Sequence, residues 1–232
     1  MANQKSKEVA VLDKAAGIEF GCARCGEFSD RSPRRIFHFA RQGKADEFSE
    51  DTILDYPYHD LSLTGILQAR EAAENFANSS WGKKVRMLMA SPIGGARGTA
   101  EYFSKKLKVP VICDWKLVER DMNVKFYYEN RRKPCLGSIM RHDCRPDGIS
   151  PSLDFESETI DSLNTWATDQ RFGTNTLFVT NALRIATIMK IAKGWGEDMM
   201  ATRKPPRNCE IITLGIGSAC EECGGFIYEP AP

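Results

Sequence analysis

Arg35-Ile36-Phe37-His38-Phe39-Ala40-Arg41-Gln42-Gly43 is an apolar run that stops abruptly in a cation, an amide and a glycine. Pro33 precedes it and the charged segment 44–51 follows. A buried run of this length, bounded in this way, reads as a parallel-sheet strand rather than a helix. In open α/β sheets, ligands bind at the carboxyl ends of such strands. Arg41 and Gln42 are therefore where a site is to be sought, against the plainer alternative of a strand that ends in a surface loop.

Outward from this strand, the chain alternates. Ser62 reads as the N-cap of a helix on which Ala69, Ala72, Ala73 and Phe76 recur at helical spacing, and such small residues imply close packing on a sheet. A strand over 85–90 follows, then a turn at Ser91-Pro92-Ile93-Gly94-Gly95 and a helix carrying Ala96, Ala100, Phe103 and Leu107. A short strand covers 111–113. Periodicity is lost over 115–154, which contains Arg131-Arg132-Lys133 and several prolines and reads as a long excursion of the kind that forms lids and binding loops. Helical character returns over 156–170, followed by a buried strand at 176–180, a helix from Leu183 to Ile191, a basic loop at 203–207, a strand at 209–214 and a terminal strand at 226–228. Alternating strands and helices predict a three-layer α/β/α sandwich around a mostly parallel sheet. The expected organisation is a polar, irregular extension over 1–34, one core domain over 35–216 and a tail over 217–232. No internal repeat is present.

With 232 residues the chain can bury a full core. Thirty-two Lys and Arg against 31 Asp and Glu give a formal charge of +1, so no global field draws it to nucleic acid or to a membrane surface. No apolar run is long enough to span a bilayer, and 1–11 has no signal-peptide pattern; the expected compartment is the cytosol or another reducing one. There, paired cysteines read first as metal ligands or redox groups rather than disulfides.

Five segments, in order, resemble the histidine phosphatase superfamily, the phosphoglycerate-mutase-like proteins, over roughly residues 35–216. Arg41-Gln42-Gly43 stands in the place of that family's Arg-His-Gly. Leu61-Ser62-x-x-Gly65-x-x-Gln68-Ala69 is similar to its Leu-Thr-x-x-Gly-x-x-Gln-Ala, and Ser91-Pro92-Ile93-x-Gly95-Ala96-x-x-Thr99-Ala100 to its Ser-Pro-Leu-x-Arg-Ala-x-x-Thr-Ala. Leu117-Val118-Glu119 resembles the segment bearing the family's acid, and the strand ending Val179-Thr180-Asn181 stands where the family has Ser-His-Gly. The resemblance implies a phosphoglycerate-mutase-like fold. It also implies a site in which one histidine becomes phosphohistidine, two arginines and a second histidine hold the phosphoryl oxygens, and an acid protonates the leaving group.

Three of those five positions differ. Gln42 replaces the nucleophile, Gly95 the second arginine and Asn181 the second histidine. An amide nitrogen has its lone pair delocalised into the carbonyl and cannot attack phosphorus as imidazole does. Phosphoryl transfer also depends on preorganised positive charge around the equatorial oxygens, and Arg41 alone of the matched positions supplies it. Arg97 is rotated by about 200° around the helix from position 95 and should aim away. Arg184, one turn beyond Asn181, is either a further anion-binding cation or a solvated surface residue. Glu119 keeps the acid's residue type and otherwise reads as a solvated glutamate. His38 reads as a core or sheet-face histidine, and His142, on the excursion, could swing over a pocket.

Cys22-x-x-Cys25-Gly26 and Cys220-x-x-Cys223-Gly224 each have the form of a zinc knuckle. Two thiolates three residues apart reach one ion across a tight turn, and the glycine lets the backbone fold around the sulfurs. Two such pairs complete a structural four-thiolate zinc site; free thiols or separate redox pairs are the alternatives. The ten residues between Cys25 and Ile36 can reach roughly 33 Å, enough to bring the pairs together.

The reading that follows is a degenerate, non-catalytic member of this family that binds or scaffolds, within a larger assembly and with protein partners, with an anion or phosphorylated small molecule at Arg41. Its rival is a divergent phosphatase or mutase with rewired chemistry through Arg41, Glu119 and His142. Nucleic-acid binding through the basic loops is disfavoured by the near-zero charge.

Overall fold

The computed structural model of the chain describes residues 20–22, 28–29, 35–45, 60–118, 152–169, 171–193, 204–219 and 226–230. Its strands are β1 (Phe20–Cys22), β2 (Phe28–Ser29), β3 (Arg35–Arg41), β4 (Met87–Ala90), β5 (Val111–Cys113), β6 (Asn175–Thr180), β7 (Ile211–Ala219) and β8 (Phe226–Pro230). Its α-helices are α1 (Leu63–Asn78), α2 (Gly94–Leu107), α3 (Ser152–Thr168) and α4 (Ala182–Lys193). All eight strands join one sheet in the order β2-β1-β8-β7-β3-β6-β4-β5.

The strand Arg35–Arg41 forms as expected and is central, with Phe37, Phe39 and Ala40 fully buried. The expectation of a mostly parallel sheet is corrected to a mixed one. From β3 through β6 and β4 to β5 the pairings are parallel, but from β3 through β7, β8 and β1 to β2 they are antiparallel. The reason lies in the connections: hairpins join β1 to β2 and β7 to β8, and neither carries the crossover that parallel neighbours require. The extension read as irregular contributes two of these strands.

Strand alternation divides the core between two layers of helix. On one face Phe37, Phe39 and Phe178 pack with Leu163 and Trp166 of α3 and Ile185 and Ile188 of α4. On the other, Ala40, Leu88, Ala90, Leu177 and Val179 pack with Ala73 and Phe76 of α1 and Ala96, Ala100 and Phe103 of α2. The first face is filled by aromatics, Phe39 stacked on Phe178 with centroids 5.0 Å apart. The second is built on alanines, which lets α1 and α2 lie close to the strands. His38, on the alanine face, is fully buried, accepts or donates one hydrogen bond with Thr213 Oγ1 (2.9 Å) and meets the ring edge of Phe76. Burial pulls its imidazole down to about 4 from the usual 6.5, so it is a neutral core residue, as the sequence suggested. Among the described residues no helix is long and apolar enough to cross a membrane.

Candidate functional site

Strands β3, β6 and β4 are parallel, so their carboxyl ends lie along one edge of the sheet. Arg41 pairs with Thr180, and Ala90 pairs with Val179. Gln42, Asn181 and the turn at Ser91 therefore leave the sheet side by side. Gln42 N–H donates to Thr180 O (2.9 Å) and Ser91 N–H to Val179 O (3.0 Å), tying the three exits together.

Backbone contacts hold the β3 tip rigidly. Gly43 N–H donates to Thr99 Oγ1 (2.9 Å), and the Thr99 hydroxyl donates in turn to Gly95 O (2.6 Å), so a side chain of α2 links the tip to its own first turn. A Cβ on Gly43 would sit 2.6 Å from Gly65 O, and one on Gly65 would sit 2.0 Å from Lys44 O. The two chains touch backbone to backbone, which only glycine permits. Ser62 caps α1 by accepting from Gly65 N–H (3.1 Å) while its hydroxyl donates to Lys44 O (2.9 Å). Gln68 completes the clasp, its Oε1 accepting from Lys44 N–H (2.9 Å). The residues of the two helix-start motifs are thus anchors for the segment 42–44, a role that their spacing in the sequence did not disclose.

The side-chain positions are arranged differently. Gln42 is half-buried, and a Cβ placed on Gly95 would lie 3.3 Å from its Cδ and Oε1. The glutamine amide thus lies against the ground from which a side chain at 95 would start. Asn181 is 6% exposed and immediately precedes α4, its carbonyl accepting from Ile185 N–H (3.2 Å). Arg41 donates from Nη1 to Pro206 O, and its backbone pairs with Glu210 O and Cys209 N–H. Arg97 is exposed and lies 3.9 Å from Glu101 on the solvent side of α2, in keeping with its rotation away from position 95.

Of the two readings of Arg184, an anion-binding cation and a solvated surface residue, the second is corrected by its burial. It is 4% exposed, stacks over Phe155 at 4.0 Å, and donates from Nη1 to Thr159 Oγ1 (2.7 Å) and from Nη2 to Val118 O (2.8 Å). Together with Thr180 Oγ1, which donates to Leu117 O, it fixes the segment leading to position 119. Glu119 itself lies outside the described residues, as do His59, His142, Cys25, Cys220, Cys223 and the basic triplet 131–133. Of Cys22 the strand position is described.

Beside the β3 tip runs an open groove of about 1000 Å³ between α1 and the segment 204–211. Arg41, Lys204 and Arg207 bring cations to it, and Glu71 and Glu210 bring carboxylates. Arg207 lies 3.7 Å from Glu210, so the charges partly answer one another. Cys209 lines the groove with a positive φ of 60° and an 8%-exposed side chain. Burial pushes its thiol up to about 11 although Arg41 opposes the shift, so it is an unreactive thiol at neutral pH. Nothing in the sequence marked this groove beyond the basic loop at 203–207.

The arrangement resembles several solved structures. These include "Mycobacterial hydrolase 2" (TM-score 0.67, 14% identity, covering 85% of this chain and 89% of that one). A mycobacterial glucosyl-3-phosphoglycerate phosphatase in complex with inorganic phosphate is similar (TM-score 0.65, 14% identity, 85% and 96% covered), as is Bacillus stearothermophilus YhfR (TM-score 0.63, 15% identity, 83% and 94% covered). At these identities the likeness is one of fold. No curated protein sequence matches the chain. The description "Histidine phosphatase superfamily (branch 1)" matches residues 37–223. The spread of that match over β3, both helix-start motifs, β6 and β7 shows that the chain belongs to the histidine phosphatase superfamily.

Proposed function

We propose that this chain is a histidine-phosphatase-fold protein that does not transfer phosphate and acts instead by binding, as a scaffolding subunit with protein partners. One observation carries the reading: the Gln42 amide, at the position of the family's nucleophile, rests against Gly95, at the position of its second arginine. An amide cannot carry a phosphoryl group, and no cation projects from position 95 to neutralise one. Asn181, at the second histidine position, offers an amide in place of a protonatable ring. Arg41 keeps a fork of donors for an anion at the strand tip, with one arm donating to Pro206 O. The structural zinc expected at the cysteine pairs takes no part in chemistry, since four-thiolate sites are coordinatively closed.

The test is turnover by the purified full chain of p-nitrophenyl phosphate and of phosphoglycerate, with acid-labile protein phosphate measured in parallel. The expected result is no phosphoenzyme and rates at the background of a buffer control, since loss of a covalent nucleophile costs on the order of a million-fold. Robust turnover abolished by Arg41→Ala would overturn the reading in favour of a rewired phosphatase.

A further inference from the structure

We propose that Cys22, Cys25, Cys220 and Cys223 bind a single zinc ion at the end of the sheet where two neighbouring hairpins open, closing the two ends of the described chain onto one another. The proposal stands whether or not the chain turns over phosphate. It is carried by strand register. β1 pairs with β8 antiparallel, Gly21 opposite Tyr228 and Cys22 opposite Ile227. β8 pairs with β7, Ala219 opposite Phe226. The chain therefore leaves β1 after Cys22 at the same end of the sheet at which it leaves β7 after Ala219 and returns to β8 at Phe226.

Each departing connection carries one Cys-x-x-Cys-Gly. The β1–β2 connection begins at Cys22 and has Cys25 three residues on; the β7–β8 connection begins at Cys220, next to Ala219, and has Cys223 three residues on. Strand spacing puts β1 about 10 Å from β7, with β8 between them. At that separation two knuckles, each contributing ligands with Zn–S distances of about 2.3 Å, can complete one tetrahedron. The sequence left open whether the two ends of the chain share a side of the sheet, and the pairing of β1 with β8 places them together. The register slips between Ile216 and Ala219, a bulge that bends β7 where it approaches the connection.

Among the described residues β1 pairs with β2 at two positions and with β8 at two. A metal shared between the two hairpins would tie them further, since binding energy at a structural zinc is folding energy. Within either knuckle alone two of four coordination positions would be open.

The experiment is metal quantification by plasma mass spectrometry on the full chain purified without chelator, beside the double variants C22S/C25S and C220S/C223S. One zinc ion per chain is expected for the native sequence, and its loss is expected in both variants, because a shared tetrahedron does not survive removal of either half. Half-retention in each variant would establish two separate sites and overturn the proposal, as would absence of zinc or disulfides found by mass mapping of these pairs. Should a variant fold poorly, cobalt substitution of the native chain decides: intense thiolate charge-transfer and tetrahedral ligand-field bands are expected, and their absence on a folded protein contradicts the proposal.

Discussion

Two neighbourhoods meet at the tip of β3, and they are held in different ways. Towards α1 and the interior of α2, the segment 42–44 is fixed by backbone contacts: Gly43 against Gly65, Gly65 against Lys44, Gly43 N–H on Thr99, and Lys44 between Ser62 and Gln68. Towards Gly95 the neighbour is one movable side chain, that of Gln42. Gly43, Gly65, Gln68 and Thr99 of the first neighbourhood match the motif residues quoted above, and Gln42 and Gly95, which differ from them, meet in the second. Path and side-chain identity are therefore separable here: the strand tip is held through contacts on its backbone, so its side chains can change while its path does not.

The sharpest way to break this comparison is a pair of identical substitutions. Gly65→Ala drives a Cβ to 2.0 Å from a backbone carbonyl that cannot yield, so a loss on the order of 3 kcal/mol or more, or failure to fold, is expected. Gly95→Ala meets the Gln42 amide first, at 3.3 Å, and adds a methyl that favours helix, so its effect should lie within about 1 kcal/mol of zero. Urea unfolding of both variants checks this, and equal losses would erase the distinction between the two neighbourhoods.

The next effect belongs to His38, beneath the same strand. Its folded pKa of about 4 lies below the unfolded 6.5, so the unfolded chain binds the extra proton and stability rises with pH across that window. On acidification the protein should lose about 3 kcal/mol between pH 6.5 and pH 4 through this residue alone. Unfolding midpoints measured across that range should flatten in His38→Gln, and an unchanged slope in the variant would show that the burial is not felt. A smaller effect is expected for Thr99→Val, which keeps shape but strips the acceptor from Gly43 N–H: about 2 kcal/mol by urea unfolding, with a retained β-sheet spectrum. A near-zero result would mean that the tip has a substitute acceptor and is less tightly specified than its contacts indicate.

Much of the parallel half of the fold was legible in the sequence because its signals are local. Ser62 caps, Ala69 and Ala73 repeat at helical spacing, and Ile36 to Ala40 form a run that is apolar but for His38. In the antiparallel half the strands read at 209–214 and 226–228 form, but β1 and β2 were not legible: Gly21 and Cys22 pair with Tyr228 and Ile227 at the other end of the chain, and Phe28 pairs in turn with Gly21. The burial of Arg184 was not legible for a related reason: the groups that make it tolerable, Val118 O, Thr159 and the Phe155 ring, are remote in sequence and meet only after α3 and α4 pack. At the site, residue identities could be matched to a motif. The contact of Gln42 with Gly95, and the hold that Thr99 has on Gly43, depend on how the tip of β3 seats against α2.

The place of β8 in the sheet governs how the molecule can come into being. β8 lies between β7 and β1, and β1 has no partner among the other central strands. While the chain is being synthesised, the parallel half from β3 to β6 can assemble, yet Gly21 and Cys22 must wait for Tyr228 and Ile227 to emerge. The closure of the sheet is thus a contact of very high sequence separation, slow by its entropy and late by its order of appearance. A nascent chain stalled before residue 226 would present the β7 edge unpaired, and such edges are where newly made proteins join the wrong neighbour.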